Sequence, residues 1–339
     1  MILIPCNKPY LIEVNEVGQI GSKIELFIWN GATEPSTPTY TFTKDAPSST
    51  DLANYYNISP FIAEYIDLSE LSSSIYSNSE LQENLYANVR VKRYKNVAGT
   101  YTLLDSTKYI STYGIEWGDT DRVGFLTNPT PLYYNFIAQT AIFTNINFKK
   151  VRIRNYETNE ILFEDTFSAN KLIGIIIDFG LSVKVELLGL FDNVFDSRIF
   201  LYQTECLYTP ISILYANSFG IIEITDFYKA NKKEFSIENS EFKKFQTVES
   251  NFYVGKQRQT FNTLGREKIT VNSGWVSESY SQVIKDILMS EFINIYQNGI
   301  INELTPVNID TKSIEIQQNI NNGLINYQLS FTYSNDYRR

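Results

Sequence analysis

No histidine occurs anywhere in the 339 residues. That absence removes the Ser-His and Cys-His nucleophile pairs, imidazole metal sites and the side chain that most often moves protons near neutral pH. Cysteine is almost as scarce: Cys6 and Cys206 are the whole complement, too few for a thiolate zinc site or a disulfide framework, and in keeping with a reducing compartment or indifference to redox. Positive charge is short as well. With 29 Lys+Arg against 38 Asp+Glu, a net charge of −9 and no basic block, the groove-tracking mode of nucleic-acid binding is disfavoured. The longest apolar run, Leu172–Ile177, closes at Asp178 and falls far short of the roughly 20 residues a membrane-crossing helix needs. The opening Met1-Ile-Leu-Ile-Pro5 shows no basic segment and no small-residue cleavage site, so the chain is expected to stay in the cytoplasm of its maker until something releases it.

Motifs that bind phosphate or activate serine are missing too. There is no Gly-x4-Gly-Lys-[Ser/Thr], no strand-Gly-x-Gly-x-x-Gly-helix and no Gly-x-Ser-x-Gly, so nucleotide binding and serine hydrolysis have no local support and no cofactor is expected. Asp119-Thr-Asp121-Arg-Val-Gly124 begins like a calcium loop, but its fifth position is Val123 and its twelfth is Thr130, where carboxylate oxygens are needed. It reads as a solvated turn, with no metal. Paired carboxylates for glycoside cleavage stay open among the 38 acidic residues, because the separation they require is invisible in sequence.

What is abundant is aromatic and β-branched: 24 Tyr and 22 Phe, with many Ile and Thr among Asn and Ser. Such residues suit pleated surfaces and turns, so a mainly β protein is expected, built of tandem immunoglobulin-like or fibronectin-like β-sandwich domains. Ile24, Leu26 and Ile28 share one parity, and residues 39–44 look like the hairpin return. Residues 61–66 fit one or two helical turns; residues 86–94 and 108–117 read as strands joined through Asn96 to Gly99. Two prolines in Thr127-Asn-Pro129-Thr-Pro131 mark the best candidate linker. Six strand candidates follow between residues 142 and 204, including a hairpin of 151–155 with 161–164. The expected domains are 1–126, a β-sandwich; 132–209, a smaller one; and 210–339, an α+β assembly domain.

In the last domain one amphipathic helix is expected over residues 280–297. Ser279 and Gln282 have capping-box spacing, Ile284, Ile287, Leu288, Phe292 and Ile295 form a stripe of helical period, and Asn298-Gly299 ends it. Ile325, Tyr327, Leu329, Phe331 and Tyr333 alternate after Asn322-Gly323, the strongest short-range hairpin signal a sequence offers, with Gly323 at positive φ. The adjacent tyrosines Tyr55-Tyr56 and Tyr133-Tyr134 are candidate interface residues or sugar-stacking platforms. Because neighbours on a strand face opposite ways, one of each pair is expected in the core. Lys92-Arg93 and Arg338-Arg339 read as solvated faces or interface contacts.

The runs Ile213-Leu214-Tyr215-Ala-Asn217-Ser-Phe219-Gly220, Gly265-Arg266-Glu267-Lys268-Ile269, Gly274-Trp275-Val276, Leu288-Met-Ser290, Pro306-Val307-Asn308-Ile309 and Asn326-Tyr327-Gln-Leu-Ser-Phe331 are similar to segments of virion structural proteins from phages infecting Bacteroidota, the crAss-like phages and their relatives. The resemblance covers residues 211–339. It implies a non-enzymatic tail, neck or baseplate component, found in the virion, that assembles with itself in rings and with other virion proteins, without membrane or specific nucleic-acid binding. Two readings from other classes stand beside it: a carbohydrate-binding module touching host surface glycan, and a capsule-degrading hydrolase.

Overall fold

The computed structural model describes residues 1–48, 50–68, 79–115, 124–204, 207–243, 248–249, 252–253, 258–296, 304–313 and 324–338. The fold is mainly β, as composition predicts, with several sheets and, among the described residues, two short α-helices. The chain divides into two compact units, one formed by residues 1–203, 214–225 and 282–292, the other by residues 204–213, 226–281 and 293–339.

In the first unit, strands Ile2–Pro5, Thr100–Thr112, Tyr86–Val97, Gly21–Trp29 and Tyr40–Asp45 lie side by side in that order. Ile24, Leu26 and Ile28 point into one core together with Val89 and Val91, the one-parity face that the alternation predicts. Ile12 and Val14, Tyr56, and Ile62 of helix α1 (Ser59–Ala63) cover the centre of that face, with Ile2, Tyr40, Phe42 and Leu104 half-buried at its margins. Phe27 is buried on the opposite side, beneath the Arg90 guanidinium at 4.2 Å and the Lys92 ammonium at 5.0 Å, where the long side chains shelter the ring and Arg90 pairs with Glu34 at 2.7 Å. The turn before Thr100 uses Ala98 and Gly99, both at positive φ, a two-residue hairpin geometry that matches strand twist.

A second group of strands builds two more sheets: Leu132–Tyr134, Val194–Tyr202, Val183–Gly189, Phe148–Asn155 and Ile161–Thr166 in one, and Ser79–Glu80, Leu172–Ile177, Ala138–Phe143 and Gly124–Phe125 in the other. The expected hairpin is present, with Ile153 opposite Phe163. Leu172–Ile177 and Ala138–Phe143 are buried almost throughout, which explains an apolar run without alternation. Residues 127–131, expected as a linker, are folded in: Thr127, Asn128 and Thr130 are buried, and the Arg198 guanidinium donates to the Thr127 carbonyl at 3.2 Å.

A close approach in this unit joins residues 112–115 to the turn at 217–220. Ile115 N donates to Ser218 O at 2.9 Å, and Thr112 Oγ1 to Phe219 O at 2.7 Å. Gly220 sits at φ +73°, and a Cβ there would lie 2.3 Å from the Tyr113 carbonyl carbon. Only glycine satisfies both the left-handed backbone and the missing space.

Helix α2 runs from Ser281 to Met289 after a 3₁₀ turn, Glu278–Tyr280. It is shorter than the expected 280–297. Ser290 ends it by donating its hydroxyl to Phe292 O at 2.6 Å while accepting from Ala216 N at 3.0 Å. Ile295, expected on the helix stripe, belongs instead to strand Ile293–Tyr296, buried along its whole length, where β-branched residues are favoured. Ser279 lies within the 3₁₀ turn, where its hydroxyl meets the Ser277 hydroxyl at 2.9 Å, and Ser277 stands at the N-cap position of that turn.

In the second unit, Ile293–Tyr296, Leu304–Ile309, Leu324–Tyr333, Arg258–Ser277 and Lys232–Lys243 form one ordered sheet, with Tyr337–Arg338 also on Arg258–Ser277. Ile325, Tyr327, Leu329 and Phe331 are buried and the residues between them are more exposed, as predicted. Their strand pairs with Leu304–Ile309 and Arg258–Ser277, placing Phe331 opposite Ile309 and Ile269. Asn322, Gly323 and Gly299 lie outside the described residues.

Gly220→Ala is expected to cost about 3 kcal/mol or more, combining left-handed strain with a backbone overlap. Gly99→Ala, at φ +85° with open space around the added Cβ, is expected to cost about 1 kcal/mol. Urea unfolding of both variants checks this; equal losses would mean that the approach at Gly220 is not the constraint described.

Candidate functional site

Two features stand out from the ordinary packing of a β protein, one in each unit. In the second unit, Lys232–Lys243 pairs antiparallel with the outer half of the long strand Arg258–Ser277, from Lys232 opposite Thr270 to Lys243 opposite Arg258. The sheet's other strands stop before this ladder does: Leu324–Tyr333 reaches Lys268, and Tyr337–Arg338 covers only Gly265 and Leu264. Past that point the described chain is a two-stranded ribbon. Every residue of Lys232–Lys243 is exposed except Ser236, which is half-buried, so neither face of this strand packs on a core.

The ribbon nevertheless carries large apolar groups. Phe235 is 52% exposed, Ile237 59%, Phe242 40%, Phe261 50% and Tyr337 57%. Phe235 lies over Gly265 and meets Tyr337 edge-on at 5.8 Å between centroids, and Phe242 meets Phe261 at 5.6 Å. A Cβ on Gly265 would come within 2.4 Å of the Phe235 ring, so glycine here lets the ring lie flat. Alternation puts Phe235 and Ile237 on one face and Phe242 on the other. The ladder shifts register between Glu238 and Ser240, where Asn262 takes a positive φ and the opposite strand carries the additional residue; Lys232–Lys243 itself stays regular. At the base of this surface the charges pair off, Arg266 with Asp336 at 2.9 Å and Lys268 with Asp310 at 3.1 Å, and Asp310, which also accepts from Thr332, is held below the usual carboxylate range.

In the first unit a carboxylate is sealed from water. Glu223 is fully buried on strand Ile222–Phe227 and accepts a 2.8 Å hydrogen bond from the Tyr215 hydroxyl. Burial pushes its pKa up to about 7; Thr127, Tyr215 and Asn217 favour the charged form, and the nearby Asp286 carboxylate opposes it. Asp286, buried on α2, accepts from Asn128 at 2.5 Å, Gln282 at 3.3 Å and Ser218 at 3.5 Å. Asn217 closes the network: its Oδ1 accepts from Phe219 N and Ile221 N, and its Nδ2 donates to Leu126 O at 2.8 Å. Segments far apart in sequence are thus bound through one polar knot. A cleft of about 370 Å³ runs beside it, between Tyr113, Lys285 and Met289.

The paired tyrosines fall as alternation requires. Tyr55 is exposed, with Glu13 raising its pKa, whereas Tyr56 is buried and shares hydrogen bonds with Ser22. Tyr133 is half-buried, and Tyr134 is buried with its hydroxyl donating to Leu181 O at 2.6 Å. They do not converge on one site: Tyr55 and Tyr56 belong to strand Asn54–Asn57, and Tyr133 and Tyr134 to Leu132–Tyr134 in another sheet. Lys92 lies over Phe27 and Arg93 is paired with Asp105, so both act within the fold. Asp119 and Asp121 lie outside the described residues. Cys6 is buried, with its pKa pushed up to about 12 by desolvation, which makes the thiol a poor nucleophile. Sequence reasoning missed the ribbon; its one signal is the alternation of Phe235 and Ile237 with charged neighbours in Lys-Lys-Glu-Phe-Ser-Ile-Glu.

Glu223 yields a pH prediction. Its folded pKa of about 7 lies above the ordinary 4.5, so the folded state keeps a proton that the unfolded chain releases. Its contribution is fully present below about pH 4.5 and is lost as pH rises to about 7, on the order of 3 kcal/mol in all. Glu223→Gln removes the titration, so its stability is expected to fall less than the wild type's between pH 5 and 7, as followed by urea unfolding; parallel curves would contradict the assignment. No protein-family model matches the chain, and no curated protein is significantly similar to it in sequence.

Proposed function

We propose that this chain is a non-enzymatic structural protein of a virion, a ring-forming component of the tail or neck, whose work is assembly with copies of itself and with other virion proteins. The observation that carries the assembly reading is the ribbon of Lys232–Lys243 and Arg258–Ser277, with aromatic groups left in water on both faces. A two-stranded ribbon is marginal in water unless a third strand or a covering layer completes it. Exposed edges of this kind are either blunted or used for pairing. Assignment to a phage virion rests on the resemblance over residues 211–339, and the abundance of Tyr and Phe fits interfaces built on aromatic anchors.

Electrostatics does not stand in the way. A net charge of −9 per 39.1 kDa copy is screened over roughly 8–10 Å at physiological salt. The apolar groups on the ribbon expose about 400 Å² together, taking roughly half of each large side chain's surface, and cover of that area is worth on the order of 10 kcal/mol gross before ordering and association costs. Association driven this way persists or strengthens as salt rises, whereas a charge-steered complex weakens.

Mass photometry and sedimentation at about 50 mM and about 500 mM salt are therefore expected to show species larger than one copy under both conditions. Phe235→Ser combined with Phe242→Ser is expected to shift the distribution toward single copies while changing unfolding stability by less than about 0.5 kcal/mol, as for other exposed positions. A strict monomer at both salt concentrations that binds or cleaves polysaccharide would overturn the proposal.

A further inference from the structure

We propose that strand Lys232–Lys243 is completed by the same strand of a second copy, running antiparallel about a two-fold axis with Ile237 opposite Ile237. The inference rests on the assembly reading above and names its contact. Among the described residues, Lys232–Lys243 is the last strand of its sheet, hydrogen-bonded on one side only, to Arg258–Ser277. Its other side offers a row of backbone donors and acceptors, and its exposure leaves room for a neighbour on that side. The shift in register falls on the partner strand, so the free edge keeps the regular pleat that pairing requires.

The identity of the occupant comes from the charges. A two-fold axis perpendicular to the sheet keeps each face on its own side, so odd positions must oppose odd positions and even oppose even. One residue then sits on the axis and faces its own copy. With Ile237 there, Lys233 faces Glu241 twice, Phe235 faces Asn239, Lys232 faces Phe242, and no like charges are opposed anywhere along residues 232–242. Moving the axis to Ser236 sets Glu234 against Glu238. Moving it to Glu238 opposes that carboxylate to itself and Lys233 to Lys243. With Asn239 on the axis, fewer residues pair and no opposite charges meet. With Phe235 on the axis Lys232 faces Glu238 twice and no like charges meet, but only residues 232–238 pair. Opposite charges facing across a strand pair stabilise it and like charges destabilise it, so the register centred on Ile237 pairs the longest run of this strand without opposing like charges.

Such a contact is isologous and closes with two copies. It joins copies pairwise and leaves ring contacts, which are heterologous, to other surfaces. Pairing also continues the sheet across the axis, so that the exposed Phe235 and Ile237 of both copies share one face.

Cysteine cross-linking and charge exchange test this on the full chain in a Cys206→Ser background. In an antiparallel pair, directly opposed residues have Cα atoms about 4.5–5.5 Å apart, within disulfide reach. Ile237→Cys is expected to give a covalent dimer on mild oxidation, and Glu238→Cys far less, since Glu238 faces Ser236. Lys233→Glu and Glu241→Lys are each expected to weaken association about tenfold, because each sets two like-charged pairs in place of two opposite ones. The double variant should restore wild-type association. Copies that associate without a cross-link at Ile237 and without rescue by the charge exchange would overturn this contact while leaving the assembly reading standing. A chain that stays monomeric would remove both.

Discussion

Backbone hydrogen bonding across strands is the constraint on which this structure turns. A chain made almost entirely of strands presents donors and acceptors sideways at every residue, and each must find a neighbour, a cover or water. Along Gly21–Leu26 both sides are taken, by Tyr86–Val97 and Tyr40–Asp45. Ile222–Phe227, which ends its sheet, is buried along its whole length. Lys232–Lys243 meets the same constraint in the open: a regular edge, with phenylalanine and isoleucine on a strand that no core covers. Among the described residues Tyr40–Asp45 and Ile161–Thr166 also end their sheets, and Lys232–Lys243 differs from them in having all but one of its residues exposed.

Rigidity in the first unit comes from a different source. The left-handed turn at Gly220 lets the backbone of residues 218–220 lie against residues 112–115, and Asn217 ties that turn to Leu126. Behind it, Glu223 and Asp286 are buried where isolated charges are costly, and each is surrounded by neutral donors from Tyr215, Asn128, Gln282 and Ser218. The protonated form of Glu223 is favoured by burial and by its acidic neighbour, so the knot is more stable with Glu223 protonated. These groups hold segments together; the surface argued to act on other molecules lies in the second unit.

Much of the fold is legible in the residues themselves. Ile24, Leu26 and Ile28 name their face by parity, and Asn155 with Asn159 marks the turn between Phe148–Asn155 and Ile161–Thr166, where Asn159 takes a positive φ. Helix α2 is legible in its start but not its length, because Phe292 and Ile295 keep helical spacing while Ser290 diverts the backbone and the following β-branched residues enter a sheet. The polar knot is invisible in sequence: Asn128 and Asp286 lie 158 positions apart, and nothing local says that Glu223 is inside. The ribbon escapes for the opposite reason. Its alternation is real, but Lys, Glu, Asn and Ser dominate it, and a strand without a buried face resembles a solvated loop until its pairing with Arg258–Ser277 is seen.

Amide hydrogen exchange as a function of protein concentration tests the central claim most directly, because it reads the free edge itself. If another copy completes Lys232–Lys243, exchange along that strand slows as concentration rises through the association range, while amides of the buried strand Ile211–Ala216 keep a constant rate. Exchange along Lys232–Lys243 that stays fast and independent of concentration, in samples where larger species are present, would contradict the claim that this edge is where copies meet.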